Sequence, residues 1–263
     1  MSREPLTRPD PGERFAGSRR FLLLHSIFTS FQGEGPFLGS YQLFLRLRGC
    51  NLACRYCDTP EAREEAGGFR VELEGATAEC GTNPVPIEVV EGWVSRLWER
   101  GMHSMALTGG EPLLQVDSLE ALLSRIVKRG IPVYLETNGT LPGALAELLD
   151  LVEYISMDVK LPSALGGRDL LPLQVNFLQV AQKKNVFLKV VLEESTPPEE
   201  LERACRFLGI EAPEVPLVIQ PASPSGESRP PSFSQLLEAH RVASKFFQQV
   251  RVIPQVHRLA GWV

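Results

Sequence analysis

Three closely spaced cysteines are the residues of this chain most suited to chemistry. Cys50, Cys54 and Cys57 follow the pattern C-x3-C-x2-C, directly after a predicted strand. Structural zinc usually has four cysteine or histidine ligands, whereas Cys80, Cys205, His103 and His257 are scattered singly along the chain. Three thiolates on a four-iron cluster leave one iron open to another molecule. The spacing therefore favours an iron–sulfur cluster, with zinc or unliganded core cysteines as the alternatives.

Two glycine-containing motifs and one arginine accompany the cysteines. Residues 108–112 read TGGEP after another predicted strand, and residues 32–35 read QGEG. Alone, each motif would indicate only a tight turn, because glycine is the usual residue where the backbone bends sharply. Arg46 lies shortly before the cysteines. Its planar guanidinium suits bidentate binding of a carboxylate, and a surface salt bridge is the alternative.

The elements that would position these residues alternate along the chain. β-rich runs are predicted at residues 41–47, 105–108, 132–136, 154–159, 186–192, 216–220 and 250–253. Amphipathic stretches lie between them, the order typical of a parallel sheet with crossover helices. Seven such units are fewer than the eight of a closed barrel, so we predict an α/β fold, a partial and open TIM-like barrel with outer helices. Reactive groups in such folds gather at the carboxyl ends of the strands, where these motifs lie.

Two of the predicted helices have explicit signals. Val89, Val90, Trp93, Val94, Leu97 and Trp98 form an apolar stripe at helical spacing. Asp117 and Glu120 precede a second stripe with the spacing of a capping box. We interpret the aromatic residues of the first stripe as core residues.

The 263 residues would fit one barrel-type domain or two smaller units, and no linker clearly divides the chain, so we predict one domain. Residues 1–20, rich in proline, arginine and glycine, are predicted to be a disordered extension, and residues 21–263 a single partial barrel with an insertion at about 60–86. A twin-arginine export signal at Arg19 and Arg20 is the alternative for the amino terminus. The apolar run after it lacks the small-residue cleavage site that such a signal needs.

Composition excludes several classes of protein. Hydrophobic residues at 43% and charged residues at 22% are globular values, which exclude disorder of the whole chain. A net charge of −5 gives no general attraction to nucleic acid or anionic lipid, and no apolar run approaches the ~18 residues of a membrane span. Five unevenly placed cysteines do not resemble a disulfide framework. We therefore predict a cytoplasmic protein without a direct nucleic-acid or membrane partner.

The cysteine spacing, the aromatic Tyr56 before the last cysteine and the GGEP motif together resemble the radical S-adenosylmethionine (radical SAM) superfamily. Three further segments indicate one family within this superfamily, namely residues 27–35, 44–50 and 57–59. They are similar to the 7-carboxy-7-deazaguanine synthases of queuosine biosynthesis, a tRNA-modification pathway, and the likeness runs from about residue 26 to the end, including residues 250–257.

The resemblance implies a set of site residues. Its substrate residues would be Phe31, Gln32, Gly33, Arg46, Thr108 and, through the terminal carboxylate, Val263. Its SAM residues would be Tyr56, Cys57, Asp58, Gly110, Glu111, Glu136, Asn138, Ser156, Met157, Asp158, Gln220, Pro221, Ala222 and Ser223. Cys50, Cys54 and Cys57 would hold a 4Fe-4S cluster and Thr59 would contact Mg²⁺. Because a lone hydroxyl is a poor magnesium site, water and substrate oxygens must supply the other ligands.

Lys160 and Lys189 could belong to the site or be solvated charges at the rim of the barrel, and no side chain is identified as a catalytic acid or base. The implied enzyme is a lyase that converts 6-carboxy-5,6,7,8-tetrahydropterin into 7-carboxy-7-deazaguanine with loss of ammonia. In that family a 5′-deoxyadenosyl radical takes hydrogen from carbon 6 of the pterin, and SAM is regenerated. A homodimer and an electron donor such as flavodoxin or ferredoxin are implied as partners. The alternatives are a glycyl-radical-enzyme activating enzyme, another radical SAM enzyme, or a non-catalytic iron–sulfur protein.

Overall fold

The computed structural model describes residues 20–73, 76–224, 226 and 228–262. Most of the predicted amino-terminal extension and Val263 therefore lie outside the described residues. The strands are β1 (Phe21–Leu22), β2 (Leu24–Phe31), β3 (Tyr41–Leu47), β4 (Phe69–Leu73), β5 (Ala76–Gly81), β6 (Val85–Pro86), β7 (Ser104–Gly109), β8 (Val133–Thr137), β9 (Tyr154–Val159), β10 (Asn185–Leu192), β11 (Leu217–Pro221) and β12 (Val250–Val252).

The α-helices are α1 (Ile87–Leu97), α2 (Val116–Val127), α3 (Pro142–Leu148), α4 (Leu171–Ala181), α5 (Pro198–Glu211), α6 (Phe233–Ala243) and α7 (Val256–Ala260). Short 3-10 helices occupy Pro60–Ala62, Pro112–Gln115, Leu149–Leu151 and Pro162–Leu165. Within the described ranges, no helix combines the length and apolar character needed to cross a bilayer.

A ten-stranded sheet, in the order β12-β11-β10-β9-β8-β7-β3-β2-β4-β5, organises the molecule. Strands β3, β7, β8, β9, β10, β11 and β12 are mutually parallel, whereas β2 is antiparallel to β3. In the described part of the chain the two edge strands, β12 and β5, do not pair with each other. The sheet is therefore open, and the predicted partial barrel with outer helices is confirmed.

Alternation along each strand divides the core into two parts. Leu43 and Leu45 of β3 pack outward into a large apolar core between sheet and helices. Phe44, between them, points to the concave side of the sheet. We call the residues packed there the lumen cluster: Phe28, Phe44, Ala106, Tyr134, Phe187 and Val218. Burial on both faces explains the near-continuous apolar runs that predicted these strands.

The start of α2 differs from the prediction. Its N-terminal cap is Gln115, no side chain caps it, and Asp117 lies inside the first turn. The predicted capping box is therefore wrong, because the 3-10 helix Pro112–Gln115 runs directly into α2 and starts the helix earlier. Of the predicted apolar stripe, Val90, Trp93, Val94 and Leu97 are buried in α1, whereas Trp98 just after the helix is partly buried and Val89 is 42% exposed.

The predicted insertion at residues 60–86 contains three strands, β4, β5 and β6. Strands β4 and β5 pair with each other, and β4 extends the main sheet beside β2. The Arg48 guanidinium ties this segment to the barrel, donating hydrogen bonds of 2.8–3.1 Å to the carbonyl oxygens of Leu24, Glu61 and Gly68. The segment is thereby held next to the chain that leads into Cys50.

Candidate active site

A cavity of about 210 Å³ opens at the carboxyl ends of the parallel strands. Its lining includes Phe28, Phe31, Gln32, Gly33, Glu34, Phe44, Arg46, Cys50, Cys54, Tyr56, Cys57, Asp58, Arg63, Thr108, Gly110, Glu136, Asn138, Ser156, Asp158, Lys160, Lys189, Gln220, Ala222, Ser223, Gln255, His257 and Arg258. The lumen cluster forms its apolar floor through Phe28 and Phe44. Most of the residues predicted for the site are thus brought together around one cavity.

Strand register explains why distant residues meet in one layer. Arg46 on β3 is the register partner of Thr108 on β7. Glu136 on β8 is likewise paired with Ser156 on β9, and further along β9 Asp158 is paired with Lys189 on β10. In parallel strands, residues of the same parity near the carboxyl ends face the same side. The polar layer of the cavity therefore lies directly above the apolar lumen cluster.

The three cysteines line the cavity on the loop after β3. One hydrogen bond and close backbone packing hold this loop against the glycine motif. The N–H of Glu111 donates to the carbonyl oxygen of Gly49 at 2.8 Å, and a Cβ atom on Gly110 would lie 1.9 Å from that same oxygen. Only glycine fits at position 110. Burial raises the pKa of Cys50 to about 11 and also raises that of Cys54, so metal binding must displace protons from these thiols.

Glu111 lies behind the cavity and connects the elements that surround it. Its carboxylate is fully buried and accepts hydrogen bonds from the N–H of Leu113 (3.1 Å), the N–H of Asn138 (2.8 Å) and the hydroxyl of Thr137 (2.9 Å). Burial raises its pKa to about 7 in spite of these donors. The side chain does not line the cavity, so it joins the GGEP turn to the end of β8 instead of facing a ligand.

The residues predicted for the substrate, apart from Val263, line the cavity, and we call the part that they line its substrate half. Arg46 donates a 2.9 Å hydrogen bond to the Thr59 hydroxyl and lies over the Phe28 ring at 5.6 Å. Gly33 packs flat against His257, whose Nδ1 would lie 2.2 Å from an added Cβ. Phe31 is 47% exposed and contacts the Trp262 ring at the rim.

Glu136 and Asn138, both predicted as SAM residues, lie in different surroundings. Glu136 accepts hydrogen bonds from Thr108 (2.7 Å) and Gln32 (3.1 Å), both residues of the predicted substrate set. Asn138 instead donates to Asn51 in the cysteine loop at 2.8 Å. The structure thus associates Glu136 with the substrate half and Asn138 with the cluster half.

Lys160 and Lys189 line the cavity with only 10% and 11% of their side-chain surface exposed, so they are site residues and not solvated rim charges. Lys160 pairs with Asp158 at 2.8 Å, and Lys189 pairs with Asp158 at 3.4 Å and with Glu34. Burial opposes the charge on Asp158, but the two ammonium groups outweigh it and hold the pKa of Asp158 below its usual range. The same pairing raises the pKa of both lysines against the effect of burial. Asp158 and the two lysines are therefore charged at neutral pH.

Glu34, Gln255 and His257 line the cavity but were not among the predicted site residues. The Gln255 amide donates to Glu34 at 2.8 Å and to Asp58 at 3.1 Å. Burial would raise the pKa of Asp58, yet Arg46, Lys189 and Arg258 hold it below its usual range. The signals that could have identified these residues are the acidic position of QGEG and the polar side chains of the QVH sequence near the carboxyl terminus.

A few predicted residues do not reach the cavity. Met157 is fully buried in the outer core, and Pro221 is the last residue of β11 without lining the cavity. Thr59 contacts the site only through Arg46 and Asp58. The odd positions of β9 point away from the cavity, which explains why Met157 faces outward between Ser156 and Asp158.

Unpartnered polar atoms indicate where a ligand would bind. Among the described residues that line the cavity, the Tyr56 hydroxyl, Asp158 Oδ1 and Gln220 Oε1 are buried and have no hydrogen-bond partner. Buried polar groups are normally hydrogen-bonded, since an unpaired one costs about 1–3 kcal/mol. A polar ligand with both donors and acceptors would satisfy all three.

Comparison with known proteins gives concordant results. The model of the Radical SAM superfamily matches residues 45–171. The 7-carboxy-7-deazaguanine synthase of Geobacter sulfurreducens is 38% identical over 244 residues, covering 90% of this chain and 96% of that protein. The protein of the same name from Methanothermobacter thermautotrophicus is 34% identical over 254 residues, covering 89% and 95%.

Among solved structures, QueE from Escherichia coli aligns with a TM-score of 0.58 at 18% identity, covering 95% of this chain and 100% of that one. A radical SAM methyltransferase from Sphaerobacter thermophilus aligns with a TM-score of 0.53 at 13% identity, covering 82% and 66%. At these identities the structural likeness concerns the fold alone.

Proposed function

The chain belongs to the family of 7-carboxy-7-deazaguanine synthases, radical SAM lyases of 7-deazapurine biosynthesis, and on this basis we propose that it converts 6-carboxy-5,6,7,8-tetrahydropterin into 7-carboxy-7-deazaguanine with loss of ammonia. The observation that carries the substrate assignment is the Arg46 guanidinium beside Thr108 above an apolar floor. A guanidinium binds a carboxylate in a bidentate manner, and aromatic side chains such as Phe28 and Phe44 suit the flat pterin ring.

As a member of the radical SAM superfamily, the enzyme uses a 4Fe-4S cluster and SAM. We propose that Cys50, Cys54 and Cys57 hold the cluster. Together the bound cluster and SAM supply the group that abstracts hydrogen from the substrate. The unpartnered Tyr56 hydroxyl and the Asp158 and Gln220 oxygens support this assignment, because SAM carries amino, hydroxyl and carboxylate groups that match them.

The protein's own contribution is to orient the two ligands and to exclude water. Arg46 and Thr108 would hold the pterin in one half of the cavity, with Glu136 beside them. Asn138 and the ion pair of Asp158 with Lys160 would border SAM in the other half. Because Lys160 and Lys189 neutralise Asp158 and Glu34, the cavity needs no solvent to stabilise these charges.

We also propose that a magnesium ion binds between Thr59 and Glu34. The Thr59 hydroxyl is already engaged by Arg46 and Asp58 and is a weak ligand alone. Ligand atoms of Glu34, Asp58 and His257 lie within 4.8 Å of one another beside it. Carboxylate oxygens, water and the substrate carboxylate would complete the shell around the ion.

We further propose a cytoplasmic homodimer reduced by a flavodoxin or ferredoxin. Exposed apolar side chains on α5 and α6, namely Phe207, Ile210 and Phe233, support a protein contact on that side of the molecule. Sedimentation of the reconstituted protein tests the dimer, and a monomer at micromolar concentration would contradict it.

The decisive experiment is an anaerobic assay. The protein is reconstituted with iron and sulfide and incubated with SAM, Mg²⁺, reductant and carboxytetrahydropterin, and products are identified by mass spectrometry. A product lighter than the substrate by one ammonia, with SAM not consumed in proportion, is expected. Formation of 5′-deoxyadenosine without that product would retain the cofactor assignment and overturn the substrate. Cys54→Ala, which removes one cluster ligand, is the inactive control.

A further inference from the structure

A buried glutamine outside the cavity contacts the site through one of its lining residues. Gln42 is near the start of β3, on the same strand face as Phe44 and Arg46, and is 0% exposed. It does not line the cavity. Its side chain instead reaches the Gln32 side chain from below the polar layer.

A continuous series of side-chain hydrogen bonds runs from Ser104 at the base of the barrel through Gln42 to the cavity. Gln42 donates from its Nε2 to the Ser104 hydroxyl at 2.8 Å. Gln32 donates from its Nε2 to Gln42 Oε1 at 3.0 Å and to Glu136 Oε1 at 3.1 Å. Thr108 donates to the other oxygen of Glu136 at 2.7 Å.

This series of hydrogen bonds fixes the orientation of the Gln32 side-chain amide. Both protons of its NH₂ group are used, one by Gln42 and one by Glu136, while its carbonyl oxygen accepts the N–H of Glu34 at 3.0 Å. A flipped amide would place its oxygen against two other oxygens and its NH₂ group against an N–H donor. Without an acceptor at position 42, one of the contacts that prevents this flip is lost.

The orientation of Gln42 is specified in turn from the base of the barrel. Its NH₂ group is held by Ser104, the register partner of Gln42 on β7. The Ser104 hydroxyl also lies 2.8 Å from His103 Nδ1. With the amide nitrogen engaged there, the Gln42 oxygen must face Gln32.

We propose that Gln42 is a positioning residue for the substrate: it holds Gln32, and through Gln32 the Glu136 carboxylate, in the arrangement that binds the pterin. This inference rests on the proposed function, since it takes the pterin as the ligand of that half of the cavity. Gln42 touches neither ligand, so its effect is confined to the residues that it orients.

A second buried glutamine provides a matched control. Gln174 on α4 is also 0% exposed and outside the cavity lining. It donates to the carbonyl oxygens of Asn138 and Asp158, both at 3.3 Å, which belong to the cluster and SAM half. Removing its amide costs the same kind of contact on the opposite side of the site.

The test compares Gln42→Leu with Gln174→Leu in cluster-reconstituted protein. Binding of 6-carboxypterin, the fluorescent oxidised form of the substrate, and of SAM is measured anaerobically at equilibrium. For Gln42→Leu we expect the Kd of 6-carboxypterin to rise about tenfold, the effect of roughly one lost hydrogen bond, with the Kd of SAM within about twofold of wild type. Gln174→Leu should show the opposite preference.

Two further variants separate the effect of Gln42 on the orientation of Gln32 from its effect on packing. Gln42→Glu keeps the side-chain volume and the acceptor that faces Gln32, so its Kd for 6-carboxypterin should stay within about threefold of wild type. Gln42→Met keeps the length without the acceptor and should resemble Gln42→Leu, and it replaces the leucine variant if that variant does not fold.

Two results would contradict the role of Gln42, and a third would contradict the proposed function. An unchanged Kd for 6-carboxypterin in both Gln42→Leu and Gln42→Met would overturn the role of Gln42, as would equal weakening of both ligands in both glutamine variants. Wild-type protein that binds SAM but not 6-carboxypterin would contradict the proposed function itself.

Discussion

At the scale of single residues, the site is defined by which charges are already paired. Asp158 and Glu34 are neutralised by Lys160 and Lys189. Arg46 differs from these groups: among the described residues it donates to a hydroxyl and lies over an aromatic ring, and it acts on Asp58 only through space, without a direct ion pair. Its charge therefore remains available for an anionic group of a ligand.

Arg46→Ala should raise the KM for the carboxylated pterin about 10- to 100-fold, because a charge-assisted contact contributes about 1.5–3 kcal/mol. Cluster content and SAM binding should not change. Steady-state kinetics with iron analysis checks both expectations. Arg241→Ala, at an exposed position on α6, is the control, and an unchanged KM for Arg46→Ala would remove Arg46 from the substrate site.

At the scale of elements, the turn after β7 and the loop after β3 form one unit. The Gly110 backbone lies directly against Gly49, and Glu111 connects the same turn to the end of β8. Three consecutive strand ends are thereby locked together around the cysteines. The GGEP motif therefore has a structural role in addition to any contact with SAM.

Gly110→Ala tests the close approach. The added methyl group cannot fit 1.9 Å from the Gly49 oxygen, so the cysteine loop must move. We expect a loss of most of the reconstituted iron and of SAM binding, measured by iron analysis and equilibrium dialysis. Gly92→Ala, where nothing lies within 4 Å of the new Cβ, should retain both, and full iron retention in Gly110→Ala would show that the loop tolerates the shift.

Glu111 gives a prediction with a defined pH dependence. Its pKa in the folded protein, about 7, lies above the ordinary value of 4.5. The folded state thus holds the proton more tightly, so this group's contribution to stability is complete below about pH 4.5 and is lost as the pH rises through about 7.

Glu111→Gln should remove this dependence and, since an amide presents NH₂ to one of the three donors, lower the free energy of unfolding by about 1–3 kcal/mol. Denaturant unfolding of both proteins between pH 5 and 8, taken as a difference, isolates the effect of this one group. A constant difference across that range would contradict the assigned shift.

At the scale of the whole molecule, the open barrel gathers the residues of both proposed ligand sites around one cavity. In the proposed site SAM would bind beside a cluster whose fourth iron the three cysteines leave open, so its effect on stability should require the cluster. A ligand that binds only the folded state at 100 times its Kd stabilises it by about 2.7 kcal/mol.

We therefore expect SAM to raise the Tm of the reconstituted protein and to leave that of Cys54→Ala, treated identically, unchanged. Anaerobic calorimetry measures both. Cys80→Ala, in the exposed β5 strand, should behave like wild type. Equal shifts in the wild type and in Cys54→Ala would place SAM binding elsewhere than at the cluster.

Local pattern was sufficient for most of the barrel. The bounds of β3 and β9 agree with the predicted runs, because both strands are buried on two faces and consist largely of apolar residues. Strand β2 was not predicted. It is antiparallel to β3 and contains His25, Ser26, Thr29 and Ser30, so its composition lacks the continuous apolar run of the parallel strands.

By itself, the sequence determined the barrel class and the placement of the cysteines, Arg46 and the GGEP turn at strand ends, since these depend on local periodicity and on topology. Only the tertiary structure decided how the side chains pair. Glu34 meets Lys189 across 155 residues and Gln255 meets Asp58 across 197. Such pairs exist because curvature of the sheet brings remote strand ends to one cavity, and no local pattern encodes that distance.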